Sequence, residues 1–417
     1  MPQTWQSLSP DLLEMVYDAA SIRRWNDQIN PMDFTELDKQ AHKMVFAYVL
    51  ARFEEEVHPG LFDWRTLIEG GIFEMLHRVI LTDIKPPVFH KMMAEKGREL
   101  NAWVFERLEP VLTPVRGGFA QRFRDYFADR AYAPLEKRLL KAAHYLASEW
   151  EFSILYRLCP FIAGIEQIRK EIEDKIEDHY DLIGVQKLLL KRRTHGFVEL
   201  CGQLRFQKRW SQSPRIPSTS VLGHMLVVAQ CTYLALQETD ACTRRQVDGF
   251  WGGLFHDLPE ALTRGITSPI KESLPGLGDL IKQYEREQME EKLYLLIPDS
   301  WHDDIRYYTE QEFDNRIRTA DGDVRGGLTF GDLEHTYNRA AARPLDGQII
   351  RTCDHLAAFL EASLSIRHGV TSKHLDEGVR RLYDRYRDAV VGPIDFGRVF
   401  RHFMPQDYLD DSPATTP

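Results

Sequence analysis

The sequence predicts an all-α protein made of two tandem helical bundles, and three observations carry that expectation. Apolar residues recur every three or four positions between charged ones in FTELDKQAHKMVFAYVLARFEEEV (34–57), VLGHMLVVAQCTYLALQE (221–238), DLIKQYEREQMEEKLYLLI (279–297) and GQIIRTCDHLAAFLEASLSIRH (347–368). That spacing marks one face of a helix. Alternating β-branched runs bounded by hairpin turns, the signature of a sheet, are not found. The third observation is an internal similarity at an offset of 182 residues, which reads as one helical unit used twice.

In the ungapped register His42 falls on His224, Val45 on Val227, Ala47 on Ala229, Gly70-Gly71 on Gly252-Gly253 and Phe73 on Phe255. Arg24-Trp25 ahead of His42 has a counterpart in Arg209-Trp210 ahead of His224, and AAHYLASEWEFSI resembles TCDHLAAFLEASLSI at a larger offset. The second copy therefore carries an insertion. Turn-rich breaks at 211–220, 267–278 and 321–332 punctuate it. The expected organisation is a first bundle over 1–195, a second over 196–409, and a tail, DDSPATTP (410–417), with nothing to bury.

Composition narrows the function classes. With 417 residues, 43% of them apolar, the chain has material for two to four domains with cores, and disorder throughout is excluded. Lys+Arg 53 against Asp+Glu 63 gives a net charge of −10, which argues against sequence-blind nucleic-acid binding, since a polyanion is repelled on average. Five cysteines, Cys159, Cys201, Cys231, Cys242 and Cys353, show no CxxC spacing. They read as reduced thiols, so a cytoplasmic location is expected. No signal-peptide pattern opens the chain and no apolar stretch reaches a membrane-spanning length of about 18 residues, so neither secretion nor a membrane span is expected.

The second copy holds His224 in one helix, the adjacent pair His256-Asp257 near the end of another, and Asp354 about a hundred residues later. Two imidazoles and two carboxylates make a mixed nitrogen and oxygen donor set for a divalent cation in a bundle interior. Successive helical positions point about 100° apart, so His256 and Asp257 can share an ion only where the helix ends or bends, and LPE follows them directly. Taken singly each residue has a plainer reading: His224 as a satisfied core histidine, Asp257 as a cap for the next helix. Asp354 is harder to dismiss, because a carboxylate on an apolar helix face needs a partner.

The ordered set His224, His256-Asp257, Asp354 resembles the HD-domain superfamily of metal-dependent phosphohydrolases. HDLPEALTRGITSPIK (256–271) is similar to the motif of its 5'-deoxynucleotidase-like branch, which also carries an Arg-Trp pair ahead of its first metal histidine, as Arg209-Trp210 stands here. The resemblance covers roughly residues 200–390 and implies a set of roles. His224, His256, Asp257 and Asp354 would hold a divalent ion of the Mn, Co, Mg, Zn, Fe or Ni kind. Asp257 and Glu260 would be catalytic, Glu260 as the acid/base group one turn beyond the metal. Arg209, Trp210 and Lys271 would contact a small phosphorylated substrate, a nucleotide by expectation.

One departure from the branch bears on substrate choice. Arg264-Gly265 stands where the branch has Gly-Asp, so the carboxylate used near the sugar is missing. The GYP motif of cyclic-dinucleotide phosphodiesterases is absent, and the two extra histidines a dinuclear site needs would have to be His302 and His335, both in polar surroundings. In the first copy the register puts Glu74-Met75 at the HD pair, Arg78 at Glu260 and His144 at Asp354. Met is no ligand for a hard ion and Arg repels one, so that copy is expected to be degenerate, serving as an intramolecular partner. The rival readings are a nucleotide-sensing regulator without turnover, and a nuclease using the basic run KLLLKRRTHGF (187–197).

Overall fold

The structure, a computed structural model, describes residues 7–30, 32–82, 84–266 and 274–409. Helices dominate it, and the strands among the described residues are two-residue pairs only. Six helices position the features discussed below: α1 (Glu36–Val57), α2 (Trp64–Leu81), α3 (Pro134–Leu158), α4 (Val221–Leu236), α5 (Thr243–Phe255) and α6 (Gly347–Arg367). Local chemistry sets their starts. Thr35 caps α1 by accepting from the Asp38 amide, Ser220 caps α4 by accepting from the Gly223 amide, and α3 begins on Pro134, whose missing N–H costs nothing at a first helical position. Every residue of α4 is buried. It is a central helix, apolar on all sides, and not the one-faced helix that a surface position would require.

The same local arrangements recur in the two halves. Arg23 pairs with Thr35 across a short antiparallel ladder, and Lys208 bridges Ser220 in the same way. Trp25 and Trp210 both sit in the left-handed region (φ 58° and 54°), as do Thr82 and Arg264 (φ 56° and 63°). Such values are uncommon outside glycine, so two matching pairs are informative. A side chain on Gly71 would strike Met44, and one on Gly253 would strike the backbone of Ala229; one on Gly70 would meet Leu140 at 2.7 Å, and one on Gly252 would meet Ile350 at 2.9 Å. In each half, finally, a tryptophan indole donates to a buried glutamate: Trp25 to Glu151 and Trp210 to Glu361, both at 3.0 Å.

These pairs correct one element of the sequence register. Through α1 and α4 the spacing is 185, as in Met44 and Ala229; through α2 and α5 it is 182, and through α3 and α6 it is 210. The position matching His224 is therefore Lys39. His42 is instead a core histidine: it is fully buried, its Nε2 donates to the Val198 carbonyl at 2.8 Å, and its ring packs edge-on against Trp150. The shared histidine of the ungapped alignment is a coincidence of letters, displaced by less than one helical turn.

One continuous hydrophobic core runs through both halves. α1 packs on α4 and α2 on α5, with Tyr48 set edge-on against both Trp251 and Phe255. Polar links cross the same boundary: Tyr233 donates to Glu69 at 2.6 Å, and the Ser220 hydroxyl donates to Asp38. The approach is close, since a side chain on Gly223 would lie 2.8 Å from the Asp38 carboxylate. The five cysteines are free, four of them buried. Among the described residues no helix is long and apolar enough to cross a membrane. The expected tail, 410–417, lies outside the described residues.

Candidate metal centre

Three segments converge in the second half. α4 supplies His224 and α6 supplies Asp354; α5 ends at Phe255, so His256 and Asp257 leave the regular spiral. This is the helix end that the adjacent pair requires. Donor atoms of His224, His256 and Asp257 all lie within 4.8 Å of one another. His224 Nε2 is 2.9 Å from Asp354 Oδ1, and His256 Nε2 is 3.3 Å from Asp257 Oδ2 and 3.9 Å from Asp354 Oδ1. All four expected ligands are thus brought together.

The donor set fits a divalent ion. His256 Nδ1 donates to the Gly253 carbonyl at 2.8 Å, which leaves Nε2 facing the carboxylates, and that buried Nε2 has no hydrogen-bond partner. His224 Nδ1 lies 3.3 Å from Glu361 Oε1, a carboxylate–histidine pairing that fixes the ring and leaves Nε2 for the ion. Charge is concentrated here. Burial works against a charged His256, yet Asp257 and Asp354 hold its pKa up to about 9. Asp257, although half-buried and beside another carboxylate, is held down to about 2 by His256 and Arg209. Without an ion the carboxylates are thus balanced by the proton on His256, and a divalent cation takes over that role by displacing it.

Glu361 is the residue that sequence reasoning missed. It is fully buried and lies two turns beyond Asp354 on the same face of α6, accepts from Trp210 Nε1 and from Thr219 Oγ1 (2.8 Å), and sits 3.6 Å from Arg209 Nε. Its carboxyl is held far below the ordinary glutamate range against the cost of burial, chiefly by Arg215 and His224. The available signal was the seven-residue spacing from Asp354, together with its match to Glu151. Arg209 spans the network, its Nη1 3.9 Å from Asp257 Oδ2. Trp210 lies against Gly378, where a side chain would strike the indole.

Glu260 opens the next short helix, Glu260–Thr263, and lines a cavity together with His256, Asp257, Lys282, Arg286 and Glu312. A side chain at Gly265 would lie 2.6 Å from Glu260 Oε2. The departure Arg264-Gly265 therefore has a local consequence, because a side chain at 265 would make the Glu260 carboxylate shift. Lys271 lies outside the described residues. His302 faces the Tyr294 carbonyl at 2.9 Å and His335 is exposed; neither belongs to the metal-holding group found among the described residues.

Residues 201–383 match the family model of the HD domain. The matched stretch, which contains Arg209, His224, His256, Asp257, Glu260, Asp354 and Glu361, is thus similar to HD domains. HD domains bind divalent metals, and the match suggests a metal-dependent phosphohydrolase or nuclease. No curated protein matches the chain.

Proposed function

We propose that the second half is a metal-dependent phosphohydrolase that cleaves the phosphate ester of a small phosphorylated molecule, a nucleotide in the first instance. The reading rests on one observation above all: His224, His256 and Asp257 offer donors within 4.8 Å of one another, beside a cavity lined by Glu260. When bound through His224, His256, Asp257 and Asp354, the ion would supply Lewis acidity and a water of lowered pKa. The chain's own groups do the rest. Glu260 exchanges a proton with the attacking water or the leaving oxygen at its carboxylate, Arg209 steadies the anionic phosphate, and Glu361 holds both His224 and Arg209 in place. Trp210 reaches the substrate only through the Arg209–Glu361 network to which its indole is tied.

The first half, in this reading, is a diverged copy that offers α4 and α5 the apolar surface a second identical subunit would offer. Phosphate release is the direct test, measured on a panel of nucleotides with Mn²⁺, Co²⁺, Mg²⁺ and Zn²⁺. Release from a nucleoside monophosphate that disappears in Asp257→Ala supports the reading. Nucleotide binding without release under every metal would convert the protein to a sensor, and cleavage of single strands alone would make it a nuclease.

A further inference from the structure

The metal centre has a rim that the proposed reaction leaves unused. Asp354 stands on α6, and Arg351 and His355, one turn apart, flank it on the same helix. A further helix, α7 (Lys373–Tyr386), packs against α6 and carries Arg381 and Arg385, again one turn apart. The two helices are tied at this point, for the Tyr386 hydroxyl lies 2.6 Å from His355 Nδ1. The Arg351 guanidinium sits 5.9 Å from the centre of the Phe313 ring, which in turn stands 6.2 Å from the imidazole of His256. Arg351, Arg381 and Arg385 are thus gathered beside two of the expected ligands.

These three cations have no counter-charge of their own. All are exposed, and among the described residues none has a carboxylate within ion-pair distance. The acids of α7 are engaged elsewhere: Glu377 with Lys373 and Asp384 with Arg387, both at 3.7 Å, and Asp376 with the Tyr408 hydroxyl. In a chain with 63 acids to 53 bases, three neighbouring guanidiniums left unpaired run against the composition. Their fields meet at one place. Burial pushes His355 below the ordinary histidine range against the pull of Asp354, and Arg385, Arg351 and Arg381 all add to the push. The cavity that Glu260 lines has the opposite character, with Glu285, Glu310 and Glu312 set beside Lys282 and Arg286, and none of the three arginines belongs to its lining.

We propose that Arg351, Arg381 and Arg385 form a subsite for a second phosphate group of the substrate, so that the protein prefers a small molecule bearing two or more phosphates to a monophosphate. The inference rests on the proposed phosphohydrolase, which puts the first phosphate at the metal centre beside Arg209. Guanidinium forks match phosphate oxygens in pairs, and a second phosphate brings the negative charge that the rim lacks. A nucleic-acid strand fits less well. Its phosphates run to both sides of the one being cut, and the carboxylates of the cavity repel those that would lie there. A solvated helix face kept only for solubility would pair its arginines with acids, as the rest of α7 does.

The test is calorimetric titration of the full chain carrying Glu260→Gln, in Mg²⁺, with two pairs of probes: inorganic phosphate against tripolyphosphate, and AMP against adenosine 3',5'-bisphosphate. In at least one pair the second probe is expected to bind about tenfold more tightly or better, and adding Arg351→Gln, Arg381→Gln and Arg385→Gln together should erase that preference while leaving the affinity for the first probe in place. Preference for tripolyphosphate identifies a chain of linked phosphates, and preference for the bisphosphate alone identifies a separate phosphate ester. Equal affinity within both pairs overturns the proposal, as does a preference that survives the triple change, or no binding of any probe. A single-stranded decanucleotide held by the same arginines more tightly than any of these probes would make the rim a strand contact and overturn the small-molecule assignment. Metal content keeps the two failures apart: a parent chain that retains no ion fails the phosphohydrolase reading, whereas one that retains an ion and shows no preference fails the subsite alone. Unchanged circular dichroism and melting of the variants separates loss of the subsite from loss of the fold.

Discussion

Where the second half sets Arg209 among the carboxylates of Glu361, Asp257, Asp354 and Glu260, the first has Lys39 at the place of His224 and Arg78 at that of Glu260, on stretches of backbone that agree down to the left-handed tryptophan and the glycines at the helix crossings. The frame is common to both, so the difference in what each half can hold lies in a handful of side chains. Lys39 in place of a histidine removes one of the imidazoles that an ion would need. Replacing the acid with Arg78 removes the proton carrier. Each change takes away a group on which the metal reading of the second half depends.

The comparison breaks most visibly at Asp257. Asp257→Ala is expected to abolish metal retention and reduce turnover by more than about 10³-fold, since it removes a ligand and leaves His256 without its main counter-charge. Elemental analysis showing equal metal in variant and parent would end the assignment. Glu260→Gln comes next: metal content should stay at the parent level while turnover falls by roughly 10²–10⁴. A rate within a few-fold of the parent would remove Glu260 from the chemistry.

Glu361→Gln sharpens the comparison, because Glu151 occupies the matching place beside no ligand. Loss of the buried carboxylate behind His224 should weaken metal binding by about 10–100-fold, measured by Mn²⁺ titration, and unchanged affinity would make Glu361 a purely structural anchor. Acidity gives a smaller, graded effect. His256, with its pKa held up to about 9, is protonated below that pH, so the ion must displace a proton. Affinity should therefore rise about tenfold per pH unit up to pH about 9 and then level off. Without metal the sign for stability is opposite. The raised pKa contributes fully below the ordinary histidine value of 6.5 and is lost as pH rises through about 9, so the metal-free protein should melt lower above that pH. A flat Mn²⁺ affinity between pH 6 and 9 would contradict the charged state of His256. The smallest effect on the metal is expected at His42: His42→Ala should leave metal content unchanged while costing about 2–4 kcal/mol of stability, as loss of a packed and hydrogen-bonded core side chain does.

Much of this was legible in the sequence. The helical periods, the adjacent His256-Asp257 pair before a proline and the lone Asp354 on an apolar face gave both the all-α fold and the four converging donors, because each is a local signal with a physical meaning. Glu361 was not legible, since what makes it matter is Trp210 and Thr219, more than a hundred residues away, closing on it in the folded chain. The place of Lys39 was hidden for another reason. An ungapped register rewards identical letters, and His42 supplied one, whereas the three-residue shift in α1 shows only in which side chains meet Gly71 and Gly253.

The hydroxyl of Ser220 accepts from the Gly223 amide to start α4 and at the same time donates to Asp38 of the first half. The first turn of the helix that carries His224 is thus gauged against a carboxylate of the first half. For heredity this means that the first half is not free to drift: a genetic screen for loss of activity should return changes at Asp38 and its neighbours, a cluster of lesions away from the proposed site and confined to the face that α4 touches.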